Sequence, residues 1–193
     1  AYNILERLVE EDKITFIALH ELDVESLLLT SSIRNTYGKN LVIASSRLTK
    51  VIETLVSDIP SIKRTLKESR VLDDEVKHNT VFTKTPIEEI KRDPAAYCVV
   101  TDIGRLDEIL RKFEPLSQNL AMAPAILMIA EPSDEEAIFD EARLINWLSL
   151  YGLQPYNIRI SGHYHPYELK TITQTIKPKE VIPIHTLNPE YLY

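Results

Sequence analysis

Cysteine is almost absent from this 193-residue chain. The single one, Cys98, sits in the apolar run "AAYCVV". One thiol excludes a disulfide framework and any Cys-based zinc site, and its setting reads as a buried, inert side chain. The expected compartment is therefore reducing and cytoplasmic. Glycine is scarce too, at 4 residues against 11 prolines, which excludes a fibrous or low-complexity chain. No apolar run approaches the roughly 18 to 20 residues that span a bilayer, and no signal peptide is visible, so no membrane partner is expected. No run of like charge is long enough to form a tail. The formal charge of −7 excludes a broadly basic nucleic-acid surface, but not an enzyme whose nucleic-acid contacts are few and local.

What is present is enough for a full core: 44% of residues are hydrophobic, in a length suited to one domain or somewhat more. The chain opens on Ala1 and runs straight into a helix-like stretch, which reads as a piece of a longer protein. Short apolar runs alternate with amphipathic stretches. Strands are predicted at 14–19, 40–45, 96–102, 124–132, 157–162 and 180–186. Helices are predicted at 2–12, 23–36 with Asp23 as N-cap, 46–58, 105–113, 133–151 and 166–176. Gly38 and Gly152 are expected to end two of these helices. In the long helix Ser133 and Glu136 form a candidate capping box, and Ile138, Ala142, Ile145 and Leu148 share a candidate packing face. Residues 59–92 are the most polar and carry no clear period. Strands apolar along their whole length, alternating with helices, predict an α/β fold with a mainly parallel sheet flanked by helices.

In such sheets ligands bind at the carboxyl ends of strands. Here those ends are polar: Ser45-Ser46-Arg47, Thr101-Asp102, Ser161-Gly162-His163 and His185-Thr186. Ser45, Ser46 and Arg47 could hold a phosphate at a helix N-terminus, or simply cap that helix. The turn containing Asp102, Gly104 and Arg105 offers the same two readings. Trp147 reads as a packing residue rather than a stacking platform.

Of five histidines, three fall in "SGHYHPYELKTITQTIKPKEVIPIHT" (161–186). His163 and His185 are separated by one strand–helix–strand unit, so on neighbouring parallel strands both rings would project from one sheet edge. Two imidazoles there suit a metal ligand beside a proton-transfer group, or two solvated strand ends. Ser161 and Gly162 would let backbone N–H groups face a phosphate. His165, between tyrosines and a proline, reads as a surface residue, as do His20 and His78.

The segment from "ARLINWLSLYGLQPYNIRISGHYHPYELK" through "IKPKEVIPIHTLNPEYL" resembles the C-terminal part of the β-CASP branch of the metallo-β-lactamase-fold nucleases, and RNase J-like members most. The resemblance rests on Ser161-Gly162-His163, Lys177-Pro178-Lys179 and Pro183-Ile184-His185-Thr186, in that order. It implies a three-layer β-CASP-type domain over 38–153. A lead-in segment at 1–37 would precede it, and 154–193 would return the chain to a metallo-β-lactamase-like domain. It implies a zinc-dependent ribonuclease in which His163 is a catalytic residue near the scissile phosphate and His185 completes a two-zinc site. His185 favours RNA over DNA as the substrate, because DNA-directed members carry an apolar residue there. The family's acidic residue after a strand would fall on Glu21, which otherwise reads as a helix-start carboxylate.

The family's His-x-His-x-Asp-His motif does not occur in this sequence; the only H-x-H pair is His163 and His165. The expectation is therefore an inactive, zinc-free piece whose partners are RNA and an N-terminal metallo-β-lactamase domain outside it, with a homo-oligomer left open. A non-catalytic RNA- or protein-binding homologue, and a DNA-directed nuclease, are the rival readings.

Overall fold

A computed structural model describes residues 2–10, 12–76, 81–113, 120–130, 132, 134–158 and 166–182. The chain divides into two compact units, 1–160 and 161–193.

Among the described residues the first unit holds seven strands, all parallel. They are β1 (Thr15–Leu19), β2 (Asn40–Ile43), β3 (Arg70–Leu72), β4 (Thr83–Thr85), β5 (Tyr97–Asp102), β6 (Pro124–Met128) and β7 (Gln154–Asn157). The sheet order is β4-β3-β2-β5-β1-β6-β7. The expected α/β class with a mainly parallel sheet is thus what the chain forms. Residues 1–37, read from the sequence as a lead-in, supply an interior strand of this sheet. β7, at the edge of the sheet among the described residues, pairs with β6 from Pro124↔Gln154 to Leu127↔Asn157.

Helices cover both faces. On one side lie α1 (Tyr2–Glu10), α2 (Val24–Tyr37), α3 (Ser46–Asp58) and α4 (Pro60–Thr65), which pack Leu5, Leu27, Leu48, Ile52 and Ile62 onto Ile17, Ile43 and Val100. On the other lie α5 (Ile87–Arg92), α6 (Leu106–Lys112) and α7 (Glu135–Leu150), which pack Ile90, Ile109, Leu110 and Leu148 onto Phe16, Val99 and Leu127. Every residue of β1, β5 and β6 is buried, because these strands have a neighbour on each side and a helical layer above and below. Alternation along β5 sends Cys98 and Val100 to the first layer, Tyr97 and Val99 to the second.

Local chemistry sets the element ends. Asp23 caps α2, its Oδ1 accepting from the Ser26 amide at 3.0 Å. Gly38 (φ 73°) and Gly152 (φ 76°) occupy the left-handed region just past α2 and α7, where a side chain would be strained. α7 is capped one residue later than the sequence predicts. Asp134, not Ser133, accepts from the Ala137 amide, at 2.8 Å; Ser133 lies outside the described residues. The packed stripe of α7 is Leu144, Ile145, Leu148 and Tyr151. Ile138 and Ala142 are exposed, although Ile138 points nearly the same way as Ile145. Helix phase is therefore not the cause: among the described residues, the first turns of α7 extend past anything able to cover them.

Two further boundaries differ. Of the strand predicted at 157–162, Asn157 is the last residue of β7, which begins earlier, at Gln154; residues 159–162 lie outside the described residues. Pro155 is tolerated there because, among the described residues, β7 has a neighbour on one side only. Ile158 adds one more bond, its amide donating to the Leu127 carbonyl at 2.9 Å. Of the strand predicted at 180–186, residues 180–182 are described and carry no strand; residues 183–186 lie outside the described residues. In the second unit the described structure is α8 (Pro166–Ile176), followed by Lys177 in the left-handed region (φ 49°). No described helix is long and apolar enough to cross a membrane.

Candidate functional site at the carboxyl ends of the strands

Because the strands are parallel, their carboxyl ends share one edge. β1 and β5 lie side by side at the centre, with Leu19 and Asp102 in register. From β1 the chain crosses through α2 toward β2; from β5 it crosses through α6, on the opposite face, toward β6. The connections diverge here, which makes the ends of β1 and β5 the topological switch point, where this architecture opens a crevice. Three segments meet there: His20-Glu21 after β1, Ser45-Ser46-Arg47 after β2, and Asp102 to Arg105 after β5.

Hydrogen bonds stitch these segments together. The Ala44 amide donates to the Val100 carbonyl at 2.7 Å, and the Thr101 hydroxyl donates to the Ala44 carbonyl at 3.1 Å. Ser45 is fully buried and caps α3, its Oγ accepting from the Leu48 amide at 3.1 Å. Arg47 reaches across to β1: its Nη1 lies 2.8 Å from Glu21 Oε2. That hydrogen bond, reinforced by the charge of Glu21 and more weakly by Asp102, raises the arginine pKa above its ordinary value. His20 is exposed, and its Nδ1 accepts from the Leu22 amide at 3.2 Å.

Asp102 is the unusual group. It is 5% exposed, and its Oδ2 is buried with no hydrogen-bond partner among the described residues. It stands at the N-cap position of the 3-10 turn Ile103–Arg105 yet makes no capping bond. Strand alternation directs it to the α3 side. Two arginines feel its charge, Arg47 and Arg105. Burial works against the charge of Arg105, but the Glu108 hydrogen bond and the fields of Glu75, Glu108 and Asp102 outweigh it and raise its pKa. Arg105 also binds Glu75, Nη2 to Oε2 at 2.5 Å, and Lys112 binds the same carboxylate. The Glu75 side chain is only 3% exposed, so this triad ties the segment after β3 to α6.

On the α6–α7 side the same turn floors a groove of about 510 Å³, lined by Ile103, Gly104, Asp107, Asp140, Arg143 and Trp147. It adjoins a second hollow of about 360 Å³ beside Ile129 and Ala130. A Cβ built on Gly104 would lie 3.5 Å from Asp102 Oδ1. Trp147 stacks on Tyr151 at 4.7 Å and lies under the Arg111 guanidinium at 5.1 Å, consistent with a packing role.

Of the residues singled out from the sequence, the structure brings Glu21, Ser45, Ser46, Arg47, Asp102 and Arg105 to one edge. Ser45 is committed to capping, and Ser46 is half-buried in the first turn of α3. Ser161, Gly162, His163, His165, His185 and His78 lie outside the described residues. Among the described residues no group of three or more His, Cys, Asp and Glu side chains is placed to hold a metal ion. Sequence reasoning missed the Glu75 clamp, which has no local signature, and the isolation of Asp102. Comparison with known proteins finds no matching family model and no matching curated protein.

Proposed function

We propose that this chain is the β-CASP-type part of a zinc-dependent, RNase J-like ribonuclease and that it grips RNA along the carboxyl edge of its sheet. The observation that carries this reading is the ordered set Ser161-Gly162-His163, Lys177-Pro178-Lys179 and Pro183-Ile184-His185-Thr186. The parallel sheet supports it, as does the gathering of Arg47, Arg105 and the α3 N-terminus at the switch point. The return segment expected at 154–193 begins later, because Gln154–Asn157 form β7 of the sheet; in this reading the chain beyond β7 returns toward a metallo-β-lactamase domain. His163 acts near the scissile phosphate, Ser161 and Gly162 offer backbone amides to it, and His185 is the one zinc ligand supplied. One histidine is too few to hold zinc tightly. The metals, when bound, supply an activated water for phosphodiester hydrolysis.

Glu21 and Asp102 temper the expected phosphate grip. Two carboxylates close to the α3 N-terminus offset much of its attraction for an anion. Phosphate contact therefore falls chiefly to Arg47, whose pair with Glu21 is exposed and so easily exchanged. A non-catalytic RNA-binding homologue is the second reading, favoured by the missing His-x-His-x-Asp-His motif.

The test is binding of single-stranded RNA to this chain, followed by fluorescence anisotropy over a range of salt. Salt-sensitive binding that weakens in Arg47→Ala supports the edge grip; binding untouched by that change overturns it. Cleavage by the chain joined to a metallo-β-lactamase domain, abolished in His163→Ala, separates the nuclease from the non-catalytic reading.

A further inference from the structure

We propose that this chain associates head to tail with copies of itself, the outward face of α7 on one copy docking on a hollow beside α4 on the next. The inference is independent of the nuclease reading. It starts from a helix that is apolar on two sides. α7 packs Leu144, Leu148 and Tyr151 onto the sheet. A helix lying on a core normally carries charged and polar residues on its opposite face. Here that face holds Glu135, Ile138, Phe139 and Ala142, spaced i, i+3, i+4 and i+7, and all four are exposed. Ile138 is 56% exposed, Phe139 69%, and Leu150, three turns after Phe139, 84%. Single exposed apolar residues need no explanation, but three on one helix mark a contact surface. Charge limits what can cover it. Residues 134–141 hold five acids, Asp134, Glu135, Glu136, Asp140 and Glu141, and no base. These acids repel a nucleic-acid backbone, so the fitting occupant is both apolar and basic.

The chain itself supplies such a surface. A hollow of about 90 Å³ lies beside α4, lined by Val56, Lys63, Leu66, Lys67, Val81 and Phe82. Its floor is apolar, and among the described residues both charged groups on its wall are basic. Lys63 and Lys67 are exposed. Asp58 and Glu68, the acids next to it in sequence, do not line it. Phe139 is the knob this hollow fits, with Glu135 and Glu136 facing the two lysines, a helix face laid on an apolar depression. One copy cannot bring the two surfaces together. Phe82 precedes β4 at one end of the strand order, and α7 leads into β7 at the other, about 29 Å away across six strand spacings. The two helices also lie on opposite faces of the sheet. Between copies they meet freely. Because the two surfaces differ, the contact is heterologous and builds a linear chain or a closed ring, not a two-fold dimer.

Sedimentation velocity of this chain, from micromolar to near-millimolar concentration, tests the proposal. The wild type is expected to gain mass with concentration, and to lose that gain as salt is raised. Lys63→Glu/Lys67→Glu sets acid against acid, and Glu135→Lys/Glu136→Lys sets base against base. Each double variant alone is expected to associate at least about tenfold more weakly, because like charges face each other across the contact. Mixed one to one, the two variants are expected to associate again, since each then meets its opposite. Phe139→Ser is expected to remove the association and keep the wild-type melting temperature, because the side chain it replaces is exposed. A wild type that stays monomeric at every concentration overturns the proposal, and another protein is then the occupant of α7. Association that survives either double variant places the contact elsewhere and overturns it too. So does a mixture that stays monomeric, since that breaks the pairing of these two surfaces.

Discussion

Leu19 and Asp102 are register partners at the carboxyl ends of two adjacent central strands, one apolar and wholly buried, the other an acid of nearly equal burial. The pair marks where the core stops and the candidate site begins. Changes on either side of that line should therefore separate into stability effects and binding effects.

Arg47 and Glu21 should act in opposite directions on RNA. Arg47→Ala is expected to reduce the dependence of log affinity on log salt by about 0.7, the contribution of one phosphate contact on a single strand. Glu21→Gln frees Arg47 from its ion pair and is expected to tighten binding and steepen the salt dependence. Anisotropy titrations at several salt concentrations measure both, and a looser Glu21→Gln would refute the edge grip.

Glu75 holds Arg105 and Lys112 from a nearly fully buried position. Removing the acid in Glu75→Gln leaves two cations facing each other. Both cations keep about a quarter of their side-chain exposure, so water relieves part of the penalty. The expected loss is about 2 to 3 kcal/mol, below the usual cost of breaking a buried pair. Urea unfolding checks it.

Phe113 is fully buried and meets Phe16 edge-on, with ring centroids 5.3 Å apart. Phe113→Ala opens a cavity under β1 and is expected to cost about 3 to 5 kcal/mol. Ser45→Ala removes the α3 cap and is expected to cost about 1 kcal/mol. Both are read by chemical denaturation, and the second should leave a phosphate contact made by Arg47 in place.

The Tyr97 hydroxyl donates to Glu89 Oε1 at 2.7 Å, and Arg70 binds the same oxygen at 2.8 Å. The tyrosine bond, then the arginine, lowers the Glu89 pKa below its ordinary 4.5. A carboxylate whose folded pKa is depressed stabilises the fold above its unfolded pKa, and that stability drains away as pH falls through the folded value. For Tyr97, burial first and Glu89 second raise the pKa above 10.0. Its contribution is therefore complete below that value and is lost as pH rises through the folded one. Tyr97→Phe is expected to flatten the melting-temperature profile at both ends, below pH 4.5 and above pH 10.0. A profile parallel to wild type would exclude this coupling.

Much of the fold was legible in the sequence. The runs "TFIAL", "YCVVTD" and "PAILM" declare buried strands by being apolar throughout, and the α3 period with Ser45 before it declares a capped helix. Residues 59–92 were opaque because β3 and β4 are three residues each, too short to show a period. Ser133 looked like the α7 cap because serine is a good cap; the side chain that reaches the Ala137 amide belongs to Asp134. For the candidate site, polar strand ends could be read, but not which ends would meet.

The amino-acid sequence by itself determined the class of architecture, since the alternation of apolar strands with amphipathic helices leaves few ways to bury both. It also determined the motif order on which the nuclease reading rests. Only the tertiary structure decided the strand order. That order inserts β5 between β2 and β1, and so places Asp102 beside residues more than fifty positions away in the chain. Neighbourhood in a parallel sheet is set by crossover connections rather than by local propensity. The isolation of the Asp102 carboxylate, the reach of Arg47 to Glu21 and the Glu75 clamp are all consequences of those crossovers, and no window of sequence contains them.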